Sequence, residues 1–419
     1  MTRVIEWLIS LLIVIALFVV IGLFLPASRT VAHSVETNRP MSTVNDILSG
    51  FTRFKDWNAL INYDPRMQLT TSGPETGVGA ALNFRSSQHS VGAGKWEVVE
   101  IVPGEKIVYA LDTPGRGKNK RMTFRFQRTG QRNQNIEISQ RYTVDYGWDL
   151  LGRYSGTLYV NSEIGGDIKR GLTKLSNLLT TIPRFDYSQH EPGFQVVELP
   201  AQNVLLVTTA AKRANDDIAL AMTNQRKWID QVIEKNGLEA AGPMRIVTNE
   251  FGSDTYGFDV VLPIRRKGAS PAADAAEGEE AGDAVAAVAA PVVDTDAPLE
   301  TFDVTVEGPV VYAQLPAMRV VRTSYTGPSP GLARIRDLIR AWALVHGHEP
   351  YDRPFEDYLG EIKDMLAEDA EFNAYWPVQV PGVANQAVRV IAPLPDSDRE
   401  QAAPAEADEA EAGEADAAA

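Results

Sequence analysis

The chain has 419 residues, with 40 Lys and Arg against 55 Asp and Glu for a formal net charge of −15, 44% apolar residues and no cysteine. That length suffices for two or three domains with cores of their own, and the missing thiols exclude a disulfide framework, a zinc-thiolate site and cysteine catalysis. Residues 268–300 carry eight acids and no base and residues 396–419 carry nine acids and one base, so these segments hold −16 and the rest of the chain +1; bulk charge therefore points to no nucleic-acid partner.

Trp7 to Ser28 is a run of 22 residues without a charge. As an α-helix rising ~1.5 Å per residue it spans about 33 Å, the thickness of a bilayer core. A cleaved secretory signal has a shorter apolar region and ends in a small-x-small site, which Pro26-Ala27-Ser28 matches poorly. Residues 1–29 are therefore read as a short tail and a retained transmembrane anchor. Long domains translocate largely regardless of charge, so the tail is expected inside and the rest outside. In a bacterium this means a single-pass inner-membrane protein with periplasmic domains.

Residues 30–186 read as a sheet bracketed by helices. A short helical pair from Ser42 to Ile61 holds Ile47, Leu48, Phe51, Phe54, Trp57 and Leu60. Four segments then alternate apolar with polar or small residues: Val78 to Phe84, Ile107 to Leu111, Met122 to Phe126 and Ile136 to Tyr146. Period-two alternation broken by Gly-, Pro- or Asn-containing turns predicts an antiparallel meander with one apolar face. Its cover is expected over Asn161–Ile182, where Ile164, Ile168, Leu172, Leu175, Leu179 and Ile182 recur at helical spacing.

Several of these residues carry a resemblance. The helix pair beginning near Met41-Ser42, Asp56-Trp57-Asn58 followed by Asp64-Pro65, the turn Gly77-Val78-Gly79-Ala80, the stretch Gly92-Ala93-Gly94-Lys95-Trp96, the meander and the long last helix resemble the START-like, polyketide-cyclase-type (SRPBCC) superfamily. Leu25-Pro26 is similar to the start of its membrane-anchored bacterial members. The resemblance implies a helix-grip fold in which a curved sheet wraps the long helix around an apolar cavity. Most members bind lipids or other apolar molecules and a minority are enzymes with differing polar residues, so no catalytic residue is carried over. Trp57, Trp96, Tyr142 and Trp148 suit either a packed core or a pocket lining, since their rings are large and amphipathic.

Residues 192–393 contain an internal repeat. Glu198-Leu199-Pro200-Ala201 is echoed by Gln314-Leu315-Pro316-Ala317 at an offset of 116, and Trp228 by Trp342 at 114. A helix around Ile218, Met222, Ile229 and Val232 has its counterpart between Ser329-Pro330 and His346-Gly347, which are start and stop signals. Both halves end in a strand with a late proline, at Phe258–Ile264 and Phe372–Val378. Two units of one design imply a pseudo-two-fold α+β domain with a groove between its halves. The second half, through Tyr325-Thr326-Gly327-Pro328, Phe355-Glu356-Asp357-Tyr358 and Glu371 to Val378, resembles the gyrase-inhibitor-like, AraC-type effector-binding domain. That resemblance implies a groove for small, often cationic or aromatic molecules, with an acid at its floor. The candidate ligand-binding residues are Tyr325, Glu356, Tyr358, Glu371, Tyr375 and Trp376. The chain departs from the family in lacking a helix-turn-helix region and in carrying the acidic run 268–300 between its halves.

His346-Gly347-His348 offers two imidazoles without a positioned third ligand, so no metal is expected, and no cofactor motif occurs. The insert 268–300 and the tail 394–419, rich in Ala, Asp, Glu and Pro and without aromatics, are expected to be disordered. The whole reads as an α+β protein that binds hydrophobic or amphipathic small molecules and the membrane. A cyclase- or hydrolase-type enzyme and an interaction scaffold using the acidic segments are the alternatives.

Overall fold

The computed structural model describes residues 2–89, 91–268 and 299–392. Apart from the ends of the insert, the two acidic segments expected to be disordered lie outside the described residues. By compactness the chain divides into two units, Met1–Phe194 with Arg334–Pro350 and Gln195–Ala333 with Tyr351–Ala419.

The first unit begins with α1 (Thr2–Phe24). Within Arg3–Phe24 a stretch of 18 residues has a mean hydropathy of 3.0, and the helix is long and apolar enough to cross a membrane. The helix stops just ahead of Pro26, whose ring disfavours helical geometry in the residue before it. There follow β1 (Ser28–Thr37), α2 (Met41–Ser49), α3 (Phe54–Trp57), β2 (Gln68–Ser72), β3 (Ala81–Arg85), β4 (Ala93–Val102), β5 (Lys106–Asp112), β6 (Lys118–Thr129) and β7 (Asn135–Asp145), then α4 (Leu150–Tyr159) and α5 (Glu163–Thr181). The seven strands form one antiparallel sheet in the order β1-β7-β6-β5-β4-β3-β2.

The buried phase of the strands is the one that alternation marks. Ala80, Leu82 and Phe84, Ile107 and Tyr109, Phe124, and Ile136 and Ile138 are all buried, and the α5 stripe Ile168, Leu172, Leu175 and Leu179 faces them from the other layer. One expected strand residue is misplaced: Val78 is exposed. Gly77 and Gly79, both with φ of 93°, turn the chain there, and the strand begins at Ala81. Helix α4 lies outside the predicted helix, because Gly152 and Gly156 weaken its helical signal. Those glycines are required by packing: a Cβ at either would stand 2.6 or 2.4 Å from the Tyr146 ring.

The second unit contains β8 (Gln195–Leu199), β9 (Gln202–Lys212), α6 (Asn215–Lys235), β10 (Leu238–Ala240), β11 (Met244–Phe251), β12 (Thr255–Arg266), β13 (Val311–Leu315) and β14 (Met318–Thr326). After α7 (Leu332–Val345), most of which belongs to the first unit, come β15 (Phe355–Tyr358), β16 (Glu371–Pro377) and β17 (Arg389–Ala392). The sheet order is β17-β13-β9-β12-β11-β15-β16-β14-β8, with β10 paired to β12. β8 pairs with β14, and β13 with β9. Buried Val207, Met222, Ile229, Phe258 and Val260 make its core under α6.

Candidate functional site: a cavity under the long helix

In the first unit the sheet, the α3 region and α5 surround a cavity of about 840 Å³. That is the size of pocket that encloses a drug-sized organic molecule. Its sheet wall is set by cross-strand register. Tyr142 of β7 lies opposite Met122 of β6, and Leu111 of β5 opposite Trp96 of β4, so their side chains share the face that looks toward Ile164, Ile168 and Gly171 of α5. Trp57 and Trp96 of this wall meet rings behind it edge to face: Trp57 on Phe124 at 5.5 Å, Phe54 on Trp96 at 5.3 Å and Trp96 on Tyr109 at 5.7 Å. Such a network fixes the wall in shape without filling the space in front of it.

Of the four aromatic residues that suit core or pocket, Trp57, Trp96 and Tyr142 do both: they are buried and line the cavity. Trp148 does neither and is 82% exposed. Gly147 adopts a φ of 50° before it and Asp149 caps α4 by accepting from the Gly152 amide at 3.0 Å, which leaves Trp148 outside the turn.

Three side chains set polar groups in the cavity wall, and two of them, Gln140 and Lys120, escape sequence reasoning. The indole Nε1 of Trp57 and the amide Oε1 of Gln140 are buried and make no hydrogen bond. The other end of the Gln140 amide donates to the Met122 sulfur at 3.4 Å. Across from them Gly171 leaves room: a Cβ there would be 3.9 Å from Gln140 Oε1 and 3.5 Å from the Trp57 carbonyl. A buried unmet donor and a buried unmet acceptor are costly until a ligand or water satisfies them. The third is Lys120, which shares the inward phase of Met122 and Phe124. Its ammonium donates to the carbonyls of Thr113, Pro114 and Gly115 at 2.6, 3.0 and 3.1 Å. Burial lowers its pKa, with Asp112 opposing. Because all its protons have protein acceptors, Lys120 serves to pin the β5–β6 turn at the cavity edge. Only its alternation with Met122 and Phe124 distinguishes it from the surrounding run Lys118-Asn119-Lys120-Arg121 in the sequence.

Polar groups also ring the opening. Tyr63 donates to Asp167 at 2.7 Å, and Arg170 reaches both Asp167 and the Tyr63 oxygen. Burial and the Asp167 hydrogen bond raise the Tyr63 pKa, so its hydroxyl stays protonated as a donor.

The candidate residues of the second unit divide between the two faces of its sheet. Glu356 pairs with Ala374, Tyr358 with Phe372, Tyr325 with Phe372 and Val321 with Trp376, so Tyr325, Glu356, Tyr358 and Trp376 share one face. Glu356 is fully buried there; Tyr358 packs edge-on against Phe372 at 4.8 Å, and Tyr325 stacks on Phe372 at 6.1 Å. Trp376 donates its Nε1 to the Asp352 carbonyl at 2.8 Å. Glu371 and Tyr375 belong to the opposite face, where Glu371 is exposed and Tyr375 stacks on Phe355 at 4.9 Å. Beside this stack Arg245 and Asp357 form a buried ion pair at 2.8 Å, and the Arg245 guanidinium lies 4.3 Å from the Phe355 centroid. Among the described residues no group of three or more acids or histidines is arranged to hold a metal.

Residues 28–180 match the family described as polyketide cyclase / dehydrase and lipid transport. This match covers β1 to α5, the elements that enclose the cavity. No curated protein matches the chain. Solved structures similar to parts of it include a point mutant of norcoclaurine synthase from Thalictrum flavum, at 13% identity over 37% of this chain and 95% of that one, with a TM-score of 0.30. The C-terminal domain of EcmrR is similar at 13% identity over 44% and 96%, TM-score 0.31. XoxI from Bacillus cereus is similar at 15% identity over 36% and 95%, TM-score 0.28.

Proposed function

We propose that the protein is a membrane-anchored binder of hydrophobic or amphipathic small molecules, taken up whole in the cavity of the first unit. The observation that carries this reading is the cavity of about 840 Å³ itself, walled mostly by aromatic and aliphatic side chains with polar groups among them, within the segment that matches a family of cyclases and lipid-transport proteins. An apolar body is stabilised there by burial at about 25 cal/mol per Å². A polar end carrying both a donor and an acceptor, such as a hydroxyl, meets the free Gln140 and Trp57 atoms. Helix α1 is read as the anchor, and the domains are read as facing the periplasm.

The second unit is proposed as a duplicated effector-binding-type domain. In support, the strands run inward from both sides to a central β11–β15 pairing, in the order β13-β9-β12-β11 against β8-β14-β16-β15. A fully buried glutamate among tyrosines favours organic cations, so Glu356, Tyr325, Tyr358 and Trp376 are its candidate ligand contacts, with Glu371 and Tyr375 on the reverse face.

Capture by the first unit is tested by native mass spectrometry of the full-length chain released from detergent in the presence of dodecan-1-ol. One bound equivalent is expected for the wild type and none for Gly171→Phe, whose ring grows into the cavity. Equal retention by both proteins would refute the cavity as the binding site.

A further inference from the structure

Helix α4 has an outer face that a surface helix in water would not carry. Its buried side is Gly152, Arg153 and Gly156, with the two glycines against the Tyr146 ring. Its outer side presents Leu151 at 54%, Leu158 at 64% and Tyr159 at 55% exposure, preceded by Trp148. Arg153 is the helix's one charged residue, and it is turned inward. Soluble amphipathic helices place their charges on the opposite side, toward water.

What covers this face is indicated by its neighbour. Arg153 donates to the carbonyls of Gly22, Leu23 and Leu25 at 3.3, 3.1 and 3.2 Å, satisfying the open C-terminal end of α1. Tyr154 donates to the Phe18 carbonyl at 2.8 Å and stacks on the Phe18 ring, while Gly22 lets Leu150 and Tyr154 approach within 3.2 to 3.3 Å of where its Cβ would be. Phe18 lies six residues, or about 9 Å along the axis, before the end of α1. A helix bonded at that height to a membrane span lies at about the depth, 5–10 Å below the headgroups, that interfacial helices occupy. Trp and Tyr are the residues that favour this layer.

We propose that α4 is an interfacial membrane helix, with Trp148, Leu151, Leu158 and Tyr159 set into the outer layer of the bilayer. The cavity then opens at the lipid surface. Tyr159 belongs to both places: it is exposed beside Leu158 and, with Ser155 of the same helix and Val160 just after it, lines the cavity wall. The occupant of the α4 face is therefore lipid, and a ligand leaving the bilayer reaches the cavity along one helix without crossing water. This inference rests on reading α1 as a membrane span.

The natural chain has no cysteine, so single Leu151→Cys and Leu158→Cys variants of the full-length protein can carry a nitroxide. In vesicles of palmitoyl-oleoyl phosphatidylcholine, the ratio of oxygen to nickel-chelate accessibility at both sites is expected to exceed that of a Val78→Cys control by about fivefold, as for probes below the headgroups. A Leu12→Cys label on α1 reports the span independently. In the unlabelled chain, brominated phosphatidylcholine is expected to quench a tryptophan component that disappears in Trp148→Phe. Labels at 151 and 158 that behave like Val78 while Leu12 is in lipid would overturn the inference and leave the anchor standing. A Leu12 label in water would overturn both. Neither readout depends on ligand capture, which the dodecan-1-ol experiment tests separately.

Discussion

The rings of Phe18 and Tyr154 stack with centroids 4.3 Å apart and planes 12° from parallel. They join an apolar helix that precedes the folded domain to the helix that forms part of a cavity wall. Arg153 makes the same join through hydrogen bonds, spanning the α1 carbonyls and the Gly147 carbonyl at 2.6 Å. Arg153→Met strands several buried carbonyls at once and is expected to cost about 2–3 kcal/mol, read as a lowered unfolding midpoint of the full-length protein in detergent. Arg116→Met removes only an exposed pair with Asp149 at 3.0 Å and is expected to change that midpoint little.

The cavity wall makes opposite demands at Gln140. Its unpaired Oε1 burdens the empty protein, so Gln140→Leu is expected to leave stability unchanged or raise it by about 1 kcal/mol. The same substitution is expected to weaken dodecan-1-ol binding about tenfold while leaving dodecyl methyl ether within twofold, since only the alcohol donates to the lost oxygen. Competition between the two ligands in native mass spectra measures both effects. Equal losses for alcohol and ether would show that Gln140 does not recognise the hydroxyl.

Asp64 ties the turn before β2 to the β3–β4 hairpin. Its carboxylate accepts from Ser86 Oγ at 2.5 Å, the Arg66 amide at 3.0 Å and the Ser87 amide at 3.3 Å. The Ser86 hydrogen bond leads in holding its pKa below the usual carboxylate value, with the two amides adding and burial opposing. A carboxylate with a depressed folded pKa contributes stability above its unfolded pKa and loses it as pH falls through the folded value. Asp64→Asn is thus expected to be destabilising at pH 7, with the gap to wild type closing as pH falls below about 4. Denaturant midpoints at pH 7, 5 and 3 check it; a gap constant across that range would contradict the charge-based origin.

In the second unit Arg245 and Asp357 are buried partners on adjacent strands, β11 and β15. Removing one partner strands a charge, so Asp357→Leu is expected to cost about 3–5 kcal/mol, whereas Arg245→Met with Asp357→Leu together restores most of the loss. Burial first, and then Asp357, push the neighbouring Tyr375 hydroxyl up to about 12. A double-mutant cycle of unfolding free energies supplies the test; an additive double mutant would deny the coupling.

Much of the first unit's fold is legible in the sequence, for a physical reason. Period two in Ile136 to Tyr146 and period 3.6 from Ile164 to Ile182 are direct consequences of one-sided burial. What is hidden depends on side chains meeting across the fold. Nothing local says that Gly156 is small because the Tyr146 ring lies against it, and without that contact α4 reads as a glycine-weakened loop. Gln140 and Lys120 look like surface residues because their roles depend on the cavity in front of them and on carbonyls in another turn. In the second unit the aromatic and acidic motif residues attract notice together, yet alternation along β15 and β16 sends Glu356 and Tyr375 to opposite faces.

Occupancy of the cavity is measured most directly by the mass of the intact protein. The full-length wild type in dodecan-1-ol is expected to fly with one added alcohol, which Gly171→Phe loses while keeping its unfolding midpoint. If the two proteins carry the alcohol equally, or if the folded wild type carries none at any concentration, the cavity beneath α5 is not a binding site.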